Sequence, residues 1–146
     1  MTRLKTLLAA TALALPLAGT AAAEEGRNLI TVVTAAEPQT QLMAMVLTTQ
    51  ATAQGHSAHV LLCGPGGDLA LRDAPESATA PQPPRDASPQ GMLAALIEAG
   101  ATVEVCAIYL PGRGEGPEAL IDGVGVAQPP AMAGALMDPG ATVWSF

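Results

Sequence analysis

The chain has 146 residues, with six Lys+Arg against thirteen Asp+Glu, two cysteines and very few aromatics. An acidic chain so poor in aromatics repels nucleic acid and anionic lipid and offers no platform on which bases could stack. The first stretch, MTRLKTLLAATALALPLAGTAAAEE, places Arg3 and Lys5 ahead of an apolar run from Leu7 to Leu17 and the small residues Ala21-Ala22-Ala23. That is the three-part pattern of a secretory signal with cleavage expected after Ala23, and it assigns the protein to the periplasm. The run is too short to span a bilayer comfortably, so no membrane association is expected after cleavage. Residues 24–146 then form one domain with four arginines and thirteen acids, a net charge of −9. On charge alone its partners are expected among small molecules, metal ions and other proteins.

Leu29 to Thr34 is β-branched and apolar on both faces, as a strand covered on both sides should be. Glu37-Pro38 breaks it. From Gln39 to Gln54 there is neither glycine nor proline, and Leu42, Met43, Val46 and Leu47 recur at helical spacing, which predicts a helix with that stripe buried. Ser57 to Cys63 follows, with Val60-Leu61-Leu62-Cys63 as a second buried strand, ended by Gly64-Pro65-Gly66-Gly67-Asp68. Arg72 to Gln90 is rich in Pro, Ala and Ser and has no apolar period, so it reads as a long exposed loop of the kind that serves as a lid or binding loop.

Ser88-Pro89 opens the next helix, with the serine as cap and the proline in the first turn. Met92, Leu93, Leu96 and Ile97 are its apolar face and Gly100 its stop. Thr102 to Leu110 predicts a third strand carrying Cys106, with Pro111-Gly112-Arg113-Gly114 as its exit loop. A short helix over 117–121, a short strand over 124–127, a helix from Pro129 to Met137 and a last strand ATVWSF complete the chain. Strands alternating with helices give an α/β fold, a mainly parallel five-stranded sheet with helices on both faces and right-handed crossovers. Ligands of such sheets bind beyond the carboxyl ends of the strands, where Cys63 and Cys106 both lie.

Cys106 is the leading candidate for chemistry. A thiolate is a strong nucleophile when a cation or backbone amides stabilise it, and Arg113 with the glycine-rich exit loop supplies both. Cys63 is a candidate resolving partner. If the two strands are neighbours the pair is about 5 Å apart and a bond can form; with a strand between them the gap is about 10 Å and it cannot. Gly64, Gly66 and Gly67 allow close approach of a ligand to the backbone, though the motif has neither the spacing of a dinucleotide fingerprint nor the lysine of a P-loop. Asp68 and Glu104 are further groups that could tune the thiol, Glu104 sharing a sheet face with Cys106. His56 and His59 are read as surface or turn histidines. No metal and no cofactor is implied.

The helix from Gly91 to Gly100 followed by Thr102-Val103-Glu104-Val105-Cys106 resembles the DsrE/DsrF-like family of sulfur-relay proteins. The resemblance runs from LITVVTAA through LLCGPGGDLAL to PPAMAGALMDPGATVWSF, nearly all of residues 24–146. It implies a three-layer α/β/α sandwich that assembles into homo- or hetero-oligomers. It also implies persulfide carried on the cysteine at this strand position, here Cys106. The partners it implies are small sulfur species or a thiol-bearing protein. A non-catalytic module that binds a small ligand or a partner protein is the alternative reading.

Overall fold

The computed structural model describes residues 26–146. The expected signal segment lies outside them. Five strands form one sheet: β1 (Asn28–Val33), β2 (Ser57–Leu62), β3 (Thr102–Val105), β4 (Val124–Val126) and β5 (Ala141–Ser145). Their order is β4-β3-β2-β1-β5, and every pairing is parallel. The helices are α1 (Pro38–Ala53), α2 (Glu76–Thr79), α3 (Pro89–Glu98), α4 (Tyr109–Arg113) and α5 (Pro129–Leu136), with single 3-10 segments at Gly64–Ala70 and Pro117–Ala119. The α/β architecture and its parallel five-stranded sheet are those expected from the alternation of strand and helix.

The side chains of the sheet divide by alternation between two layers. Val33, Val60, Leu62, Val103 and Val105 point to one face and pack with Ala44 and Met45 of α1 and Leu93 and Leu96 of α3. Leu61 points to the other face and packs with Ala127 and with Met132 of α5. Helix starts follow local chemistry. Ser88 accepts a hydrogen bond from the Gly91 amide, and the Glu37 carboxylate accepts from the amides of Gln39 and Thr40.

Three expectations are corrected. The buried face of α1 is Gln41, Ala44, Met45, Thr48 and Ala51, while Met43 and Leu47 of the expected stripe are 51% and 39% exposed. Small residues let the helix lie close to the sheet, and the Thr48 hydroxyl finds that of Thr31 on β1 at 2.8 Å, so a polar position is satisfied inside. β3 ends at Val105 rather than Leu110. Its partner β4 is only three residues long, and the Tyr109 amide turns back to the Cys106 carbonyl at 2.9 Å, starting α4. The segment after Arg72 is packed, not a free loop. It contains α2 with Ala78 buried, and an isolated antiparallel bridge joins Gln82 to Ala87. Leu71 bridges to Leu120, and the Gln90 side-chain amide donates to the carbonyls of Leu69 and Leu71.

Candidate functional site

The parallel register brings the two cysteines together. Leu62 of β2 is paired with Val105 of β3, so the next residues, Cys63 and Cys106, face each other at the carboxyl edge. The Cys63 amide donates to the Val33 carbonyl at 2.9 Å and the Cys106 amide to the Leu62 carbonyl at 2.8 Å, which holds both residues on the sheet's ladder. Their Cα atoms are 5.1 Å apart and their sulfurs are joined in a disulfide. Of the two geometries open from the sequence, the structure has the one with neighbouring strands. Both cysteines are half-buried and pack beside the smaller apolar cluster, on the face covered by α5.

Next to the disulfide the sheet is incompletely covered. A cleft of about 320 Å³ runs between the sheet and α5, lined by Leu61, Cys106, Ile108, Ala127, Met132 and Leu136 among others. Every side chain in its wall is apolar apart from the sulfur. Ile108, at the turn after Cys106, is 82% exposed. Cys106 is part of this wall and Cys63 is not. Two other clefts open at the amino-terminal edge. One lies between α1, β1 and β5 beside His56 and Trp144, and the other lies beside Ser57, His59 and Asp138. Both are remote from the strand ends where ligands of parallel sheets bind.

The groups expected to tune the thiol are engaged elsewhere. Arg113 pairs with Glu115 at 2.9 Å and with Asp68 at 3.4 Å, and its guanidinium lies 5.6 Å from the centre of the Tyr109 ring. The hydrogen bond to Glu115 is the main reason its pKa is raised further. Tyr109 donates its hydroxyl to Asp68 at 2.6 Å; burial first, then that hydrogen bond, pushes its phenol well above the ordinary value. Glu104 bonds His59 at 2.8 Å, across the β2–β3 pair. This contact was not foreseen; the signal was alternation, since His59 and Cys63 share one face of β2, as Glu104 and Cys106 share one face of β3. His56 accepts the Arg27 amide through Nδ1 at 3.0 Å, a turn contact.

Gly66 and Gly67 are buried beneath protein. A Cβ on Gly66 would strike the Val33 carbonyl, and one on Gly67 would strike the Tyr109 ring. Their lack of a side chain lets the 3-10 segment sit directly on the end of β1 and on α4. Gly64 is exposed, with φ of 52°. Among the described residues no group of three or more His, Cys, Asp or Glu is placed to hold a metal ion. No helix among them is long and apolar enough to cross a membrane.

No family model and no curated protein matches the chain in sequence. Among the solved structures that resemble it, two align over nearly their whole length. The protein of unknown function MTH1491 from Methanobacterium thermoautotrophicum aligns with a TM-score of 0.60 at 13% identity, over 84% of this chain and 100% of that one. The ychN protein from E. coli aligns with a TM-score of 0.57 at 20% identity, over 83% of this chain and 99% of that one. At such identities the likeness is one of fold. It is consistent with the α/β fold that the DsrE/DsrF-like resemblance implies.

Proposed function

We propose that this protein is a periplasmic sulfur-handling protein of the DsrE/DsrF-like type, with Cys106 as sulfur acceptor and Cys63 as its resolving partner. One observation carries the reading: two half-buried cysteines are paired at the carboxyl edge of a parallel sheet, and one of them borders an open cleft. In the reduced protein the Cys106 thiolate attacks the terminal sulfur of a polysulfide. A new S–S bond forms at Cys106, and the polysulfide leaves one sulfur shorter with the electron pair of the broken bond. An acceptor thiolate then attacks the outer sulfur, takes it, and releases the Cys106 thiolate. If no acceptor arrives, the Cys63 thiolate attacks the inner sulfur, hydrosulfide leaves, and the disulfide re-forms.

Self-association belongs to the same reading. α1 carries no charged residue and exposes Met43 and Leu47, in a chain whose acidity would make many other faces repel a copy. Leu47→Glu should shift sedimentation toward monomer; an unchanged oligomer would remove α1 from the interface.

The deciding experiment is intact mass. The reduced protein incubated with polysulfide should gain one sulfur, and Cys106→Ser should not. Retention of the adduct in Cys106→Ser would move the acceptor to Cys63. The second reading, a non-catalytic binding module, is favoured by the closed disulfide, which leaves neither thiol free. Failure of the reduced protein to take up sulfur would establish it over the first.

A further inference from the structure

We infer that the cleft beside Cys106 is a specificity pocket for a small, uncharged thiol with an apolar body, which opens the disulfide by attacking Cys106. The inference rests on the redox reading of the cysteine pair and adds the chemical class of its reductant.

Three observations carry it. Only one of the two bonded sulfurs belongs to a residue in the cleft wall, so a molecule seated there meets Cys106 and leaves Cys63 as the departing sulfur. The rest of the wall, from Leu61 on β2 and Ala127 just past β4 to Met132 and Leu136 on α5, has no ionisable group and no side-chain hydrogen-bonding group to hold a charged or polar head. At about 320 Å³ the space suits a small organic molecule. A carboxylate or ammonium entering it would lose its hydration with nothing to replace it, whereas an alkyl chain gains by leaving water.

The step balances without another reactant. The thiolate R–S⁻ attacks the Cys106 sulfur, a Cys106–S–S–R bond forms, and the Cys63–Cys106 bond breaks with its electron pair leaving on Cys63. A second R–S⁻ attacks the sulfur of R in that mixed disulfide, releasing R–S–S–R and the Cys106 thiolate. Two electrons pass from the two thiolates to the protein's disulfide. Cys106 is thereby returned to the form that accepts sulfur.

The test compares two thiols of similar size and acidity, 1-propanethiol and 3-mercaptopropionate, as reductants of the purified full chain. Samples are quenched in acid, freed of the small thiol and alkylated, so that protein thiol is followed over time by mass, in about 1 M salt, where screening reduces to about 3 Å the reach of the acidic surface's general repulsion. A simple dialkyl disulfide serves as the reference substrate. The neutral thiol should reduce the protein on the order of tenfold faster than the anion, beyond any difference on the reference, from burial of its propyl chain. Ala133→Asp places a carboxylate in the wall of the cleft at a solvent-facing position of α5, where folding should survive, and should abolish the preference. Ala95→Asp, at an exposed position of α3 on the far side of the sheet, should leave it intact. Equal rates for the two thiols, or a preference that Ala133→Asp does not move, overturns the inference while leaving the sulfur-acceptor role standing. Reduction by neither thiol also overturns it. The polysulfide measurement on phosphine-reduced protein then decides the acceptor role separately.

Discussion

The two faces of the sheet are built differently. On one, α1 and α3 cover it fully, and Val33, Met45, Val60, Leu62 and Leu93 are completely buried. On the other, α5 offers eight residues, of which only Met132 is buried, and a cleft remains open beside it. The closed face gains its stability mainly from close packing. The open face has less apolar surface to bury, and there a covalent bond ties two strands together. The same incompleteness leaves one sulfur bordering open space. Packing is closest on one face, and the cysteine pair lies where the packing of the other stops.

The sharpest challenge to that contrast is truncation on each face. Leu93→Ala should cost about 3–5 kcal/mol, since a fully buried leucine leaves a cavity that its neighbours cannot fill. Met132→Ala should cost about 2 kcal/mol, because water can enter from the adjoining cleft. Urea denaturation measures both, and equal losses would mean that the second face is packed as firmly as the first.

Reducing the disulfide should be nearly as large. It closes a sequence separation of 43 residues, for which chain entropy predicts about 4 kcal/mol, with strain and residual unfolded structure lowering the measured figure. Cys63→Ser compared with wild type under oxidising and reducing conditions separates the bond from the substitution. A loss well under 1 kcal/mol would show that the open face is held by packing after all.

A smaller effect probes a polar contact buried on the closed face. Thr48→Val removes a hydroxyl that donates to the Ala44 carbonyl and meets Thr31, leaving the Thr31 hydroxyl without that partner inside the core. A loss of about 1–3 kcal/mol is expected, partly restored when Thr31→Val is added. Strict additivity of the two substitutions would show that the hydroxyls are independent.

The smallest expected effect lies at the Tyr109–Asp68–Arg113 cluster. The Tyr109 pKa is raised in the fold, so its contribution is fully present below the ordinary value of 10.0 and is lost as pH rises beyond it. Stability should therefore fall above about pH 10, and Tyr109→Phe should flatten that limb. Glu37 titrates with the opposite sign. Its lowered pKa follows from the amides of Gln39 and Thr40 that it caps. Its contribution is full above the ordinary carboxylate value and is lost as pH falls through the lowered one. A fall in the protection factors of those two amides, relative to their intrinsic exchange rates at each pH, would report the loss.

The sequence foreshadowed much of this. Ser88-Pro89 announced α3, and the apolar stretch around Leu29 to Val33 announced a strand covered on both sides, because caps and β-branched runs act over a few neighbouring residues. What failed were the signals that depend on distant partners. An uncharged α1 has no polar face to mark which side is out, so Ala44, Met45 and Thr48 became the inner face only because β1 presented Thr31. Ile108-Tyr109-Leu110 has strand propensity, yet β4 offers no residues to pair with it, and the ring of Tyr109 is instead packed against Gly67.

The local order of residues thus determined the alternation of strand and helix, the helix that precedes Cys106 and the position of both cysteines near strand ends. Only the tertiary structure decided that their strands are neighbours in register, that their sulfurs are bonded, and that α5 is too short to cover Cys106. Strand order and the reach of a covering helix depend on contacts between segments far apart in the chain, and no short stretch of sequence carries them.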